Sequence, residues 1–466
     1  MSEKRAVNDI QIKRITVTTD RPEHKGTFFD IEKSVIELNI FESVEIPFLT
    51  AQILMTDDVA FRHAVGIKGD ERCQIELVSP QSESHVVIKN FIITGMAKEQ
   101  SNNERVDVRV LTLIEEHGYL NYLKKISKTY SGLPLQILSD VFANDLGRRA
   151  TLQPNDGIGV ARPVQQPMKY IAPYINALDV VERIRDRIST RAGSPYFCYS
   201  NLRSDDIFIQ DLETIYKEDP WNKDHPYTFG MAAANMEPGI DEHKKYFHIK
   251  NFTAGKIESV FRMAQAGAYG ASYNVMDLTS ATQLSDNQAF HDGSRTLQML
   301  AEELNTVSVM SPEDSLQIGP AESKVKSINQ YESKSFTSIV ASQLFYQNES
   351  PLSAPMNGYH DENQNSAMYR LKIKSAALRA IITNNIYNIT VPGMPYLINQ
   401  NAGVGTTIMV KHAIPSMAIG DGNGGDKARI DKKRSGKFMI YKARHQFTIE
   451  GDMNTSMEIV KLMDDA

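Results

Sequence analysis

Cysteine is nearly absent from this chain. Its 466 residues hold two, Cys73 and Cys198, far apart in sequence. That excludes a disulfide framework and any cysteine-based zinc motif, and it fits a thiol-reducing compartment. Long apolar runs are missing as well. None approaches the roughly 18 residues of a membrane helix, so no membrane insertion is expected. Met1-Ser-Glu-Lys-Arg leads into polar sequence with no apolar segment of the secretory kind, and synthesis as a soluble chain in the cytoplasm is the expectation. An excess of positive charge is lacking too. The net charge is −6, which argues against general binding of nucleic acid through its phosphates. Neither a His-Glu-x-x-His pattern nor a Gly-x-Ser-x-Gly elbow occurs.

What the chain does have is apolar residues, 41% of the total, and most fall in short alternating runs. The length predicts about three domains. Ile10–Thr19, Ser34–Phe41, Ala51–Met55, Cys73–Val78, Val86–Lys98 and Arg105–Ile114 read as strands, with turns every ten to fifteen residues or so. That pattern predicts an antiparallel barrel or sandwich.

The character changes at Glu115. His117–Ser127 and Pro134–Asp145 read as helices, the second with Pro at its first turn and Gly147 at its end. Asn176 is placed to cap a further helix, with Asp179 three residues on and Leu178, Val181, Ile184 and Ile188 along one face. Gly193 is its expected stop. Pro195–Tyr199 and Asp206–Asp211 read as paired strands.

Phe247–Lys256 resumes β character. From Gly267 to about Asn365 the chain is polar and weakly periodic, which predicts an insertion with its own secondary structure or an ordered arm. Ser366–Leu378 is a helix candidate, and Asn385–Val391 and Gly405–Val410 are strands. Ser435–Met463 is a long hairpin: Met439, Tyr441, Ala443, Phe447 and Ile449 lie on one face, and Glu450-Gly451-Asp452 forms the turn. A hairpin cannot bury its apolar face alone, so earlier strands must complete the unit.

Candidates for chemistry are weak. Gly420–Gly425 lacks the strand and helix that a phosphate loop needs and reads as a flexible tip. His243 and His248 have no third ligand. His445 interrupts an apolar strand face and reads as a core or interface histidine rather than a base. The basic cluster Lys427, Arg429, Lys432, Lys433, Arg434 and Lys437 is either a surface for an acidic partner or the solvated end of a hairpin, the latter being the expectation. No catalytic, cofactor-binding or metal-ligating residue is assigned.

Several passages in their order resemble the baseplate hub proteins of contractile-tailed bacteriophages of the T4 type. They are Ile46–Asp57, Gly193–Ser200 after the Ala177–Arg191 helix, Val391-Pro-Gly393, and the closing hairpin with its Arg444-His445 pair. The resemblance covers about half of the chain, and 267–365 lies outside it. It also extends to the hub part of type VI secretion spike proteins, which run on into a β-helix where no such repeat follows Leu462.

The resemblance implies an α+β, mainly β fold with two tube-protein-like antiparallel β-barrels. The expected division is a first barrel at 1–115, a mixed α/β middle at 116–245, the start of the second barrel at 246–266, an insertion or arm at 267–369, and the rest of the second barrel at 370–466. It implies a structural, non-enzymatic virion protein of the tail baseplate, assembled in the host cytoplasm. As a homotrimer it would join a sixfold tail tube to a trimeric central spike, with tube or tube-initiator, spike and wedge proteins as partners. DNA would pass through its lumen without specific binding, past acidic walls, with Lys427–Lys437 directed elsewhere. The alternatives are a tail-associated cell-wall-degrading enzyme, or the hub of a phage-derived contractile secretion system. Ser34–Phe41 and Asn385–Val391 contain neither Pro nor Lys. They are expected at sheet edges that a neighbouring subunit covers, the alternative being that both are central strands.

Overall fold

The structure is a computed structural model. It describes residues 10–21, 27–57, 67–79, 82–99, 107–152, 168–186, 188–190, 194–202, 204–230, 246–254, 271–277, 282–286, 317–318, 326–327, 334–340, 375–376, 378–379, 382–383, 386–393, 402–414, 429–431, 434–448 and 453–464, with single residues at 261, 265 and 395.

The first seven strands are β1 (Gln11–Thr18), β2 (Phe28–Asp30), β3 (Val35–Ser43), β4 (Ile46–Asp57), β5 (Arg72–Ser79), β6 (Ser82–Glu99) and β7 (Asp107–Glu115). They pair antiparallel in the order β3-β4-β7-β6-β5-β1-β2. Alternation decides which residues face inward. Leu38 and Ile40, Ala51 and Ile53, Ile75 and Leu77, Phe91 and Ile93, and Leu111 and Leu113 fill one core with Ile15 and Val17. A 3₁₀ turn at Glu32–Ser34 carries the chain back toward β3, and Ile31 N donates to Ile15 O at 2.9 Å.

The middle holds α1 (Glu116–Leu123), α2 (Pro134–Asp140), β8 (Ala150–Leu152), α3 (Ala177–Arg185), β9 (Tyr196–Ser200), β10 (Ile207–Asp211) and α4 (Leu212–Lys217). A single π-helical turn, Val141–Asp145, continues α2. Asn176 and Asp179 form a reciprocal capping box on α3, as their spacing predicts. The helix stops at Arg185, before Gly193, which lies outside the described residues. Its buried stripe is Ala177, Val180, Val181 and Ile184, with Leu178 only half-buried. β9 and β10 pair antiparallel, and β8 adds parallel to β10. A second core forms here around Phe142, Val180, Ile184, Tyr196 and Ile209.

The chain then forms β11 (Tyr227–Phe229) and β12 (Asn251–Ala254). Within the polar stretch, β13 (Ala271–Asp277), β14 (Thr282–Asp286) and β15 (Lys334–Val340) make a separate three-stranded sheet. Helical residues at Ser375, Ala376, Leu378, Arg379 and Ile382 follow, where the sequence predicts a helix only up to Leu378. The last strands are β16 (Ile386–Pro392), β17 (Thr407–Ile414), β18 (Gly436–Thr448) and β19 (Met453–Asp464). A third core packs Ile389, Val391, Ile408, Val410, Phe438, Ile440, Met457 and Ile459.

The fold is therefore mainly β, as the sequence predicts. The two halves belong to a single 14-stranded sheet, because β3 pairs with β18. Among the described residues no strand pairing closes either half on itself. The predicted edges are both interior: β3 lies between β4 and β18, and β16 lies between β12 and β19.

Candidate functional site

The seam between β3 and β18 organises the molecule. Its register runs from Lys442 opposite Ser43 to Thr448 opposite Glu37. Facing inward, Phe447 of β18 and Met453 of β19 enter the core of the first half. Facing outward, Arg444 Nε donates to Asn39 Oδ1 at 2.9 Å and Nη2 pairs with Glu37 at 3.1 Å, while Lys442 meets Glu458 at 2.9 Å. An open groove of ≈ 650 Å³ crosses this outer face, walled by Phe41, Ile46, Phe48, Lys442, Arg444 and Glu458 among others.

Beneath the seam, ionisable groups occupy positions that alternation turns toward the cores. Glu42 continues the inward series Leu38, Ile40. Its Oε1 accepts from Leu202 N at 2.6 Å and stands 3.6 Å from His445 Nε2. Nδ1 of that histidine meets Thr455 Oγ1 at 3.1 Å, and Thr455 in turn donates to the Gly393 carbonyl at 2.8 Å. Since the threonine proton is used on Gly393, Nδ1 is the donor. His445 is only 1% exposed, so it is the core histidine the sequence predicts. This line of contacts joins all three parts of the chain.

A second cluster ties the first half to the middle. Glu115 ends the inward series Leu111, Leu113, and Lys89 precedes Phe91 on the same side of β6. Glu115 Oε2 accepts from Leu49 N at 2.7 Å. Lys89 Nζ reaches Asp205 at 3.0 Å and the Ser204 carbonyl at 2.6 Å. His117 Nε2 donates to the Pro47 carbonyl at 2.7 Å, and Ser200 Oγ donates to the same oxygen at 2.9 Å. Burial pushes the Glu115 carboxyl up, against the nearby Lys89 charge, and pushes His117 down to about 4.

The third cluster centres on Glu45, in the turn between β3 and β4. Arg185 of α3 pairs with it at 3.1 Å, Arg379 at 3.5 Å, and the Tyr441 hydroxyl donates to it at 3.1 Å. In a fourth, Gln210 bridges the Tyr199 hydroxyl and Glu218, and Lys437 Nζ donates to the carbonyls of Tyr216 and Glu218. Burial raises Glu218 to about 7, with Lys437 opposing the shift. Gly405 sits against Tyr199 with φ +81°, where a Cβ would collide with the phenol.

Lys437 corrects the reading of the basic cluster as a solvated hairpin end. It is buried at the start of β18, where backbone carbonyls replace its water. Lys427, Lys432, Lys433, Gly420–Gly425 and His243 lie outside the described residues. His248 forms a bridge with Thr228. Both cysteines are buried, their thiols pushed up to about 12 by burial, far from the thiolate that nucleophiles and metal ligands require. Among the described residues no group of three or more His, Cys, Asp or Glu could hold a metal ion. The carboxylates of Glu42, Glu45 and Glu115 are each engaged by the donors above. The arrangement is a set of internal fasteners between parts of the chain. The sequence signal for it was present: a charged residue at an inward position, as at Glu42, Lys89 and Glu115.

No family model and no curated protein matches this sequence. Solved structures that align with this chain include the 43 kDa tail protein of prophage MuSo2 from Shewanella oneidensis, at 10% identity and a TM-score of 0.47, covering 97% of this chain and 99% of that one. A tail protein from Neisseria meningitidis MC58 aligns at 10% identity and a TM-score of 0.48, covering 96% of each chain. An E. coli component of the type VI secretion system, described as structurally similar to T4 bacteriophage tail proteins gp27 and gp5, aligns at 9% identity and a TM-score of 0.39 over 93% of this chain and 74% of that one.

Proposed function

We propose that this chain is a structural protein of a contractile tail baseplate: the central hub that joins a sixfold tube to a threefold spike. One observation carries the reading. A single chain holds two mainly antiparallel β halves, each with its own core, fused into one sheet by the β3–β18 seam. Three such chains place six β units around an axis, and a closed ring of head-to-tail contacts avoids an open fibre. The passages that resemble T4-type hubs support the same assignment. Its partners are then a second and third copy, a tube or tube-initiator protein, a spike and wedge proteins, with DNA passing unbound. The division at 1–115, 116–245, 246–266, 267–369 and 370–466 is part of the proposal. So is the acidic lumen.

Light scattering after size exclusion tests the assembly at micromolar concentration, alone and with tube and spike proteins. A homotrimer is expected in at least the second condition. A stable hexamer, or a monomer even with tube and spike present, overturns the reading.

A further inference from the structure

Four large apolar side chains stand in solvent on one corner of the middle region. Tyr122 and Leu123 end α1 at 64% and 68% exposure, and Ile171 and Tyr174 follow at 69% and 67%. Strand pairing holds these segments together: Ile175 lies opposite Ile126, and Ile171 lies opposite Thr129. Leu178 N donates to Asn121 Oδ1 at 2.8 Å, tying the start of α3 to α1. Lys125 Nζ sits 5.2 Å from the centre of the Tyr174 ring. Single exposed apolar residues are ordinary; a cluster of this size on one small, fixed framework is not.

Two more features characterise the patch. Tyr174 has φ +55°, and no other non-glycine residue among those described is left-handed. Backbone of that kind is strained and collects at functional positions. It follows Pro173 and projects an aromatic ring outward. The fringe is basic. Lys124, Lys125 and Lys128 fall within five consecutive positions; Asp145 binds Lys124 at 3.0 Å and Lys128 at 2.8 Å, and Asp179 is engaged by Asn176 N at 3.3 Å, which leaves Lys125 without a carboxylate bound to it in either contact.

We infer that this corner docks a segment of another protein that carries apolar side chains flanked by Asp or Glu. The apolar centre supplies buried area, and the lysine fringe selects the flanking charge. The same fringe opposes a symmetric contact between two copies, which would bring lysines against lysines. A fixed strand pair and a strained tyrosine present one shape, which suits a partner of defined shape better than a fluid lipid surface. The inference does not depend on the hub assignment.

The test uses the full chain. Displayed short peptides are selected on wild-type protein and re-measured on Leu123→Ser/Tyr174→Ser and on Lys125→Glu, with melting temperature as the control for folding. Peptides rich in Asp or Glu beside aromatic or aliphatic residues are expected. They should bind each variant about tenfold or more weakly, the loss typical of a removed interface anchor. Three outcomes overturn the inference: no enriched peptide, enriched peptides without acids, or binding indifferent to both variants. Wild-type binding to phosphatidylglycerol vesicles that the variants lose would assign the patch to membranes instead. A self-associated wild type that the same substitutions dissociate would assign it to a second copy. Both of those also refute it.

Discussion

At the scale of residues, one buried and one half-buried group should pull stability in opposite directions with pH. His117 is held neutral, donating to Pro47, with its pKa lowered to about 4 by burial. A depressed histidine contributes stability above its unfolded value near 6.5 and loses it as pH falls toward 4. The swing is on the order of 3 kcal/mol at most. His117→Gln keeps a donor but cannot titrate. Its urea midpoint should fall less than wild type between pH 6.5 and 4, and parallel curves would refute the assignment. Glu218 behaves the other way, raised by burial from 4.5 to about 7. Its contribution is complete below pH 4.5 and is lost as pH rises through 7. Glu218→Gln should remove that loss, worth about 1–2 kcal/mol once partial exposure is allowed for. The measurement is the same urea titration, carried to pH 8. A variant that loses stability above pH 5 as wild type does would count against it.

At the scale of elements, the C-terminal hairpin belongs to both halves. Phe447 and Met453 lie in the first core, and Phe438, Ile440, Met457 and Ile459 lie in the last. Deleting residues 435–466 should therefore unfold the second half and loosen the first. Phe447→Ala alone should cost about 3–5 kcal/mol, the range for a buried aromatic. A truncated chain that kept its melting temperature and oligomeric state would show the hairpin to be an accessory. The hairpin's two strands were legible in the sequence, because alternation at Met439–Phe447 is a local signal; its expected turn residues, Glu450–Asp452, lie outside the described residues. The capped helix at Asn176 was legible too. The interior position of β3 was not, since its partner lies some 400 residues away and no local pattern names it. Lys437 was misread for a related reason. A run of basic residues looks solvated in sequence, and only the fold brings the Tyr216 and Glu218 carbonyls to it. The inward charges at Glu42, Lys89 and Glu115 were readable as exceptions to alternation, though not their partners.

At the scale of the whole molecule, the cores of the two β halves share a continuous sheet, and the middle core, on its own three-stranded sheet, is tied to them by contacts such as the largely buried Arg185–Glu45 pair. Breaking a buried pair by removing one partner costs about 3–5 kcal/mol, so the parts have little scope to open separately. Calorimetry should show one main transition, and Arg185→Ala, which strips Glu45 of its nearest cation, should lower it as a unit. Three resolved transitions for the wild type would show the fasteners to be weak. A variant in which only the middle region melts early would point the same way.

The seam also sets a timetable. Asn39 and Arg444 meet across 405 residues of chain. At about 5–20 residues per second, a ribosome takes roughly 20–80 s to deliver the second partner after the first. Throughout that interval the β3 edge has backbone donors and acceptors with no strand to receive them. On a polysome, many nascent chains expose the same unfilled edge within reach of one another. The pairing that unites the finished protein is thus the one most open to mispairing during its synthesis, and a chaperone or slowed translation early in the message would have its largest effect there.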